Sequence, residues 1–155
     1  MRSHLVAELK QSKPFPRRSA EAMASILRTA ALLDHQLSEV LKPYGITTTQ
    51  YNVLRILRGA GPEGLCGREV GERLISAVPD VSRLLDRMEE MELITRQRDP
   101  ADRRHVTARL SDKGQGTLEK TTPRLEAVEN ARFGEFAAAD VQRLIDALAD
   151  VRGAG

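Results

Sequence analysis

The sequence predicts a mainly α-helical fold that carries one small β-hairpin, an α+β chain. Three observations predict it. Apolar residues recur at spacings of three and four along most of the chain, which is the period of helices with one buried face. Two short helical stretches meet at a tight turn that ends in Val78-Pro79. Alternation with a period of two appears only over residues 94–98 and 106–110, on either side of Asp99-Pro100-Ala101-Asp102.

Each element follows in order. Residues 1–18 contain Pro14, Pro16, Arg17 and Arg18 with weak periodicity, and each proline biases its predecessor away from helix, so a flexible, extended basic arm is expected. From Ser19, the residues Met23, Ile26, Leu27, Ala30, Leu33, Leu37, Val40 and Leu41 define one face of a long helix, which Pro43 and Gly45 end. Thr47 and Gln50 have the spacing of a capping box, with Ile46 and Tyr51 at the staple positions, and a second helix follows to Gly59. The Gly59-Ala-Gly-Pro-Glu-Gly64 loop leads to a short helix over 67–74 with Val70 and Leu74 inward. Pro79 fixes its own φ near the helical value and pushes Val78 out of it, so Val78 is expected at the cap and Pro79 at the first helical position. Val81, Leu84, Leu85 and Met88 share the buried face of that helix to about Met91, and Asp80, Ser82, Arg83, Asp86, Arg87 and Glu90 lie on the others. The two helices and their turn read as a helix-turn-helix, and the hairpin after them as a wing with Arg103 and Arg104 at its tip. Ser111 and Asp112 open a helix marked by Leu118, Leu125, Val128 and Phe133, in which Pro123 is expected to introduce a bend. A last helix spans about 139–152.

Composition narrows the function classes. The chain has 155 residues, 41% of them hydrophobic and 30% charged, as in an ordinary globular protein able to bury a core without staples. Cys66 is the single cysteine, so no intrachain disulfide forms and no Cys/His cluster for zinc exists; His4, His35 and His105 are scattered. No metal or cofactor is expected. No apolar run exceeds four residues and the first ten lack a continuous apolar segment, so neither a membrane span nor a secretory signal is expected, and the reading is cytoplasmic. The glycine-rich loop lacks the Gly-Lys-Ser/Thr ending of a phosphate loop, and no nucleophile–base pairing is visible, so an enzyme is not expected. The net charge of +2 hides a local pattern: residues 66–110 are neutral, but 94–110 hold five arginines against two aspartates.

The run from Val78 to Arg96, then Asp99-Pro-Ala-Asp-Arg-Arg-His-Val and Leu110-Ser-Asp-Lys-Gly, strongly resembles the MarR family of winged helix-turn-helix transcriptional regulators. The resemblance covers about residues 20–150. It implies a homodimer whose terminal helices interlock and whose two winged lobes grip one DNA duplex, on an inverted-repeat operator where binding represses transcription. The chain then divides into the arm, 1–18; a helical dimerisation region, 19–46 with 111–155; and a winged helix-turn-helix DNA-binding region, 47–110.

Arg83 is the first candidate for base reading, because an arginine fork matches the O6/N7 edge of guanine in the major groove and the family places an equivalent arginine against DNA. The bland alternative is an arginine paired to Asp80 or Glu90. Arg87, one turn deeper, suits a phosphate, as do Ser82 and Thr48; Pro79 belongs to the same helix start. Asp80 is unusual there: it either accepts from a cytosine amino group or simply stabilises the helix N-terminus. Arg103 and Arg104 suit the narrow minor groove, and the resemblance makes Arg104 the inserting residue, with Asp102 bracing it. It also implies a small aromatic or phenolic effector at the junction of the two regions, for which Leu33, His35, Leu37, Tyr44 and Tyr51 are candidates. Cys66 reads as a small filler and not as a redox sensor. The rival function is a winged-helix interaction module that docks or dimerises without reading DNA, and steep salt dependence of duplex binding separates the two.

Overall fold

In a computed structural model, which describes residues 4–153, helices α1 (His4–Glu8), α2 (Arg18–Leu41), α3 (Thr48–Ala60), α4 (Gly67–Arg73), α5 (Val81–Glu90), α6 (Asp112–Phe133) and α7 (Ala138–Arg152) accompany a small antiparallel sheet, against which α3, α4 and α5 pack. The mainly helical α+β expectation is borne out. The sheet has three strands in the order β1-β3-β2, with β1 (Leu65–Cys66), β2 (Ile94–Arg98) and β3 (Val106–Leu110). The hairpin pairs Ile94 with Leu110 and Arg98 with Val106, and β1 adds to the other edge of β3 through Leu65–Ala108 and Cys66–Thr107. The sequence reading sees only the hairpin. A two-residue strand has no period to detect, and its place is fixed from outside by β3.

One core runs through the winged region and into both long helices. Leu41 of α2, Val53, Leu54 and Leu57 of α3, Val70 of α4, Leu85 and Met88 of α5, Ile94 and Ala108 of the sheet, and Leu118 and Leu125 of α6 form a single buried cluster. Two local devices set how the helices enter it. Thr47 accepts from the Gln50 amide while the Gln50 side chain accepts from the Thr47 amide, and the flanking Ile46 and Tyr51 are both buried. At the start of α6, Ser111 Oγ accepts from the Gly114 amide and donates to the Glu92 carbonyl at 2.6 Å, which ties the helix to the end of the turn before β2. Gly114 faces the Leu93 carbonyl so closely that a Cβ would overlap it, so only glycine admits this approach.

Two expectations change in detail. Within the arm, His4–Glu8 is helical with Leu5 buried, and Lys10 at a φ of 53° ends the turn; no proline precedes Pro14, and a leucine that finds cover favours the helix over an extended chain. At α5, the cap is Asp80 and the first helical residue is Val81, so Val78 does not cap and Pro79 lies before the helix. The expected placement rested on the fixed φ of proline; the carboxylate of Asp80, accepting from the Arg83 amide at 2.9 Å, supplies the stronger start signal two residues later. Among the described residues, no helix is long and apolar enough to cross a membrane.

Candidate nucleic-acid interface

Helix α5 buries Leu85 and Met88 and turns Ser82, Arg83, Asp86, Arg87 and Glu90 to solvent. Arg83 is the third helical residue, and its backbone is held by Asp80. Neither Arg83 nor Arg87 has an ion-pair partner among the described residues, so the pairing of Arg83 with Asp80 or Glu90 is not formed. Two exposed guanidinium groups one turn apart therefore stand outward from the helix.

At the wing tip, Asp102 accepts through its carboxylate from the Arg104 amide at 3.0 Å and through its carbonyl from the His105 amide. Asp99 does the same work on the other side, accepting from the Ala101 amide while its own amide donates to the His105 carbonyl. The two aspartates thus spend their acceptors on the loop backbone, and Arg103 and Arg104 are exposed with no ion pair among the described residues. Below the tip, a cleft of about 850 Å³ is lined by Pro79, Asp80 and Ser82 from the start of α5, Arg68 from α4, and Arg104 and His105 from the wing.

The local excess of arginine over 94–110 divides into two kinds. Arg96 of β2 reaches back to α5, where its guanidinium meets Glu89 at 2.7 Å and Asp86 at 2.5 Å and is mostly covered. The hydrogen bond to Glu89, then that to Asp86 and both charges, raise its pKa further above the ordinary arginine value against the opposing effect of burial. Arg109 of β3 donates to the Pro62 carbonyl at 2.8 Å and to Gln97. Both brace the wing. Arg98, Arg103 and Arg104 are the outward members. Charge count alone gives no signal for this division; the register of β2 against α5 makes it.

Helix α4 begins with a second capping box, in which Cys66 is the cap and the Glu69 carboxylate accepts from the Cys66 amide at 2.8 Å. That backbone bond, then the Cys66 side chain, holds the Glu69 pKa below the usual carboxylate value, with Arg73 and His105 adding smaller attractions. Cys66 is half-buried and lines the wing cleft.

Thr48 is not with the others. Its hydroxyl donates to the Asp34 carboxylate at 2.9 Å, and it lines a separate cleft of about 510 Å³ between α2, α3 and α6, along with Leu33, Leu37, Tyr51, Val128 and Phe133. Leu33, Leu37 and Tyr51 are among the residues expected at this junction, whereas His35 and Tyr44 lie outside its lining. Asn52, Arg55 and Arg132 give the cleft a polar side that the apolar periodicity does not reveal. No group of His, Cys, Asp and Glu suited to a metal ion occurs among the described residues.

Comparison with known proteins places this geometry. Residues 44–105 match the model of the MarR family. The chain is 35% identical over 91 residues to the HTH-type transcriptional regulator YkoM of Bacillus subtilis (strain 168), a stretch that is 59% of this chain and 57% of that protein. It thus spans little more than half the length of the curated relatives it first matches, 57% of YkoM and 60% of MhqR from the same organism. The crystal structure of a MarR transcription factor from Planctomyces limnophilus is similar over 87% of this chain and 98% of that one, with 30% identity and a TM-score of 0.68. The fold also matches that of Staphylococcus aureus MepR in a MepR–DNA complex, with 20% identity and a TM-score of 0.76 over 92% of this chain and all of that one.

Proposed function

Since the chain belongs to the MarR family, we propose that it is a sequence-specific DNA-binding transcriptional regulator that acts as a homodimer on an inverted-repeat operator and represses transcription there. The observation that carries this reading is the sorting of the arginines. Arg96 and Arg109 are consumed by the protein, while Arg83, Arg87, Arg103 and Arg104 stand exposed and unpaired among the described residues, on α5 and on the wing tip. Those are two surfaces of one face, joined by a cleft to which the start of α5 and the wing both contribute.

The roles divide by chemistry. Arg83 reads a guanine edge from the major groove, and Arg87 and Ser82 hold phosphates. Arg104 enters the minor groove, with Arg103 beside it and Asp102 fixing the loop that presents them. Asp80 and Pro79 act by setting the start of α5. Thr48, engaged with Asp34, fits the wall of the second cleft better than a phosphate contact. That cleft, apolar within and edged by Arg55 and Arg132 together with Asp34 and Glu129, suits a small aromatic or phenolic effector whose binding favours a lobe spacing unable to hold DNA. Dimerisation is supported by apolar side chains that the single chain leaves uncovered, among them Met23 and Leu27 of α2 and Leu144, Ile145 and Val151 of α7.

Selection of bound duplexes from a random DNA pool by the purified protein tests the reading. Enrichment of a pseudo-palindrome with half-sites about 10–10.5 base pairs apart, bound with steep salt dependence, is the expected result. A folded dimer that enriches nothing would transfer the weight to an interaction module.

A further inference from the structure

The hairpin of β2 and β3 is fixed at its root. Among the described residues, the hydrogen bonds of its tip, residues 99–105, all close within the loop. At the root, one arginine anchors each face. The register puts Arg96 and Ala108 on the face toward α5, where Arg96 meets Asp86 and Glu89, and puts Thr95, Gln97, Thr107 and Arg109 on the other. Arg109 Nε donates to the Pro62 carbonyl at 2.8 Å and its Nη1 donates to Gln97 Oε1 at 3.3 Å, so a side chain of β3 grips the turn Gly61–Glu63 that follows α3. The end of that turn is also pressed against the strand: Gly64, at a φ of 70°, lies where a Cβ would overlap the Ala108 carbonyl and the Arg109 side chain. Strand β1 comes next in the chain and pairs with the same stretch of β3.

We propose that Arg109 is a positioning residue for the minor-groove contact: by tying β3 to the turn after α3 it fixes the pitch of the wing, and through the wing the place of Arg104. At roughly 3.3 Å per residue, Arg104 lies up to about 15 Å along the hairpin from Arg109, so a tilt of about 10° at the root moves the tip by about 2–3 Å, against a minor groove about 6 Å wide. Two donors of Arg109 are spent within the protein, and its neighbours on that face, Thr95, Gln97 and Thr107, are uncharged, which suits a strut better than a phosphate clamp. This role rests on the reading of the wing as the part that enters the minor groove, and it names the residue that aims it.

Two measurements on the full chain test it. In the first, spin labels at Arg58→Cys and Ala101→Cys, in a Cys66→Ser protein diluted with unlabelled chains, report the distance from the end of α3 to the wing tip without DNA. Arg109→Ala is expected to broaden that distribution and shift it by about 2–3 Å, and Arg109→Lys, whose ammonium still reaches the Pro62 carbonyl, to restore it. In the second, affinity for the duplex selected above is read at several salt concentrations. Arg109→Ala is expected to weaken binding about fivefold, with the thermal midpoint little changed, and to cost nothing further once Arg104 is replaced by alanine. An unchanged distance distribution overturns the proposal, whether or not DNA is bound. So does an Arg109→Ala protein that binds like the parent while Arg104→Ala weakens binding. An equal loss in both backgrounds, with the salt slope lowered by about 1, overturns it as well, since Arg109 would then be a phosphate contact itself. A broadened distribution in a protein whose binding ignores Arg104→Ala upholds the strut and sinks the minor-groove reading instead.

Discussion

Arg83 and Arg96 carry the same group on opposite sides of one helix–strand junction, and their surroundings give them opposite work. Arg96 is satisfied by Asp86 and Glu89 and mostly covered, whereas Arg83 is bare. Replacing Arg96 by alanine is expected to cost about 1 kcal/mol in urea unfolding, since each part-exposed ion pair is worth only about 0.2–1 kcal/mol, with Arg96→Lys recovering part of it through one of the two pairs. Arg83→Ala is expected to leave stability alone and to lose about 1–3 kcal/mol of discrimination at one base pair of each half-site. Arg104→Ala should instead weaken binding to all sequences and lower the salt slope by about 1, measured by titrating duplex at several salt concentrations. Equal and sequence-blind losses from both would defeat this division. Asp80 caps α5 through the Arg83 amide, so Asp80→Ala is expected to cost about 1 kcal/mol of stability and Asp80→Ser much less, with base preference unchanged in the serine variant if the cap is its whole role. Residue types were enough to nominate Arg83, Arg87, Arg103 and Arg104. They were not enough to remove Arg96 and Arg109 from the basic patch, because that depends on which face of a strand looks back at the protein.

At the level of elements, local signals were read well where one signal acted alone. Thr47 and Gln50 form the box that their spacing foretold, and Ser111 caps α6. Where two signals competed, at Val78-Pro79-Asp80, the helix start was placed two residues early. The Cys66–Glu69 box went unseen because a thiol is a weak capping group, and β1 went unseen because two residues carry no pattern. The box makes a pH prediction. Glu69 has its pKa lowered in the folded chain, so its contribution is present above the ordinary carboxylate value and is lost as pH falls through the lowered one. Glu69→Gln should therefore lower the stability of α4 near neutrality and converge with the parent at acid pH, where Glu69 is itself protonated, so that the acid limb flattens, as followed by amide exchange. The close approach of α6 to Leu93 gives a sharper test: Gly114→Ala is expected to destabilise by about 1–3 kcal/mol, because the obstacle is backbone and cannot swing aside.

For the molecule as a whole, the sequence disclosed the helices and the hairpin but not how much of the helical surface is left bare. Helix α7 buries none of its residues within the single chain, and Leu27 on α2 and Ile145 on α7 remain 65% and 51% exposed. Their three-and-four spacing looked like that of a core-facing helix, since periodicity records that a face is apolar and not which chain covers it. Under the proposed dimer, Leu27→Glu with Ile145→Glu should give a monomer by sedimentation velocity and abolish binding to a two-half-site duplex while the winged lobe stays folded. A variant that still sediments as a dimer would remove these faces from the interface.

The order of the sheet has a consequence for colloidal behaviour. With β3 in the middle, β2 is an open edge whose backbone groups offer themselves to any passing strand. One side chain of that edge is unwelcoming: Arg98 stands exposed beside Gln97, while Arg96 is turned back to Asp86 and Glu89, so another copy approaching edge to edge would meet the Arg98 charge. Under the proposed function, the charge that the wing offers to DNA would thus also keep wings from adding to one another, and Arg98→Val should show itself first as turbidity at high protein concentration.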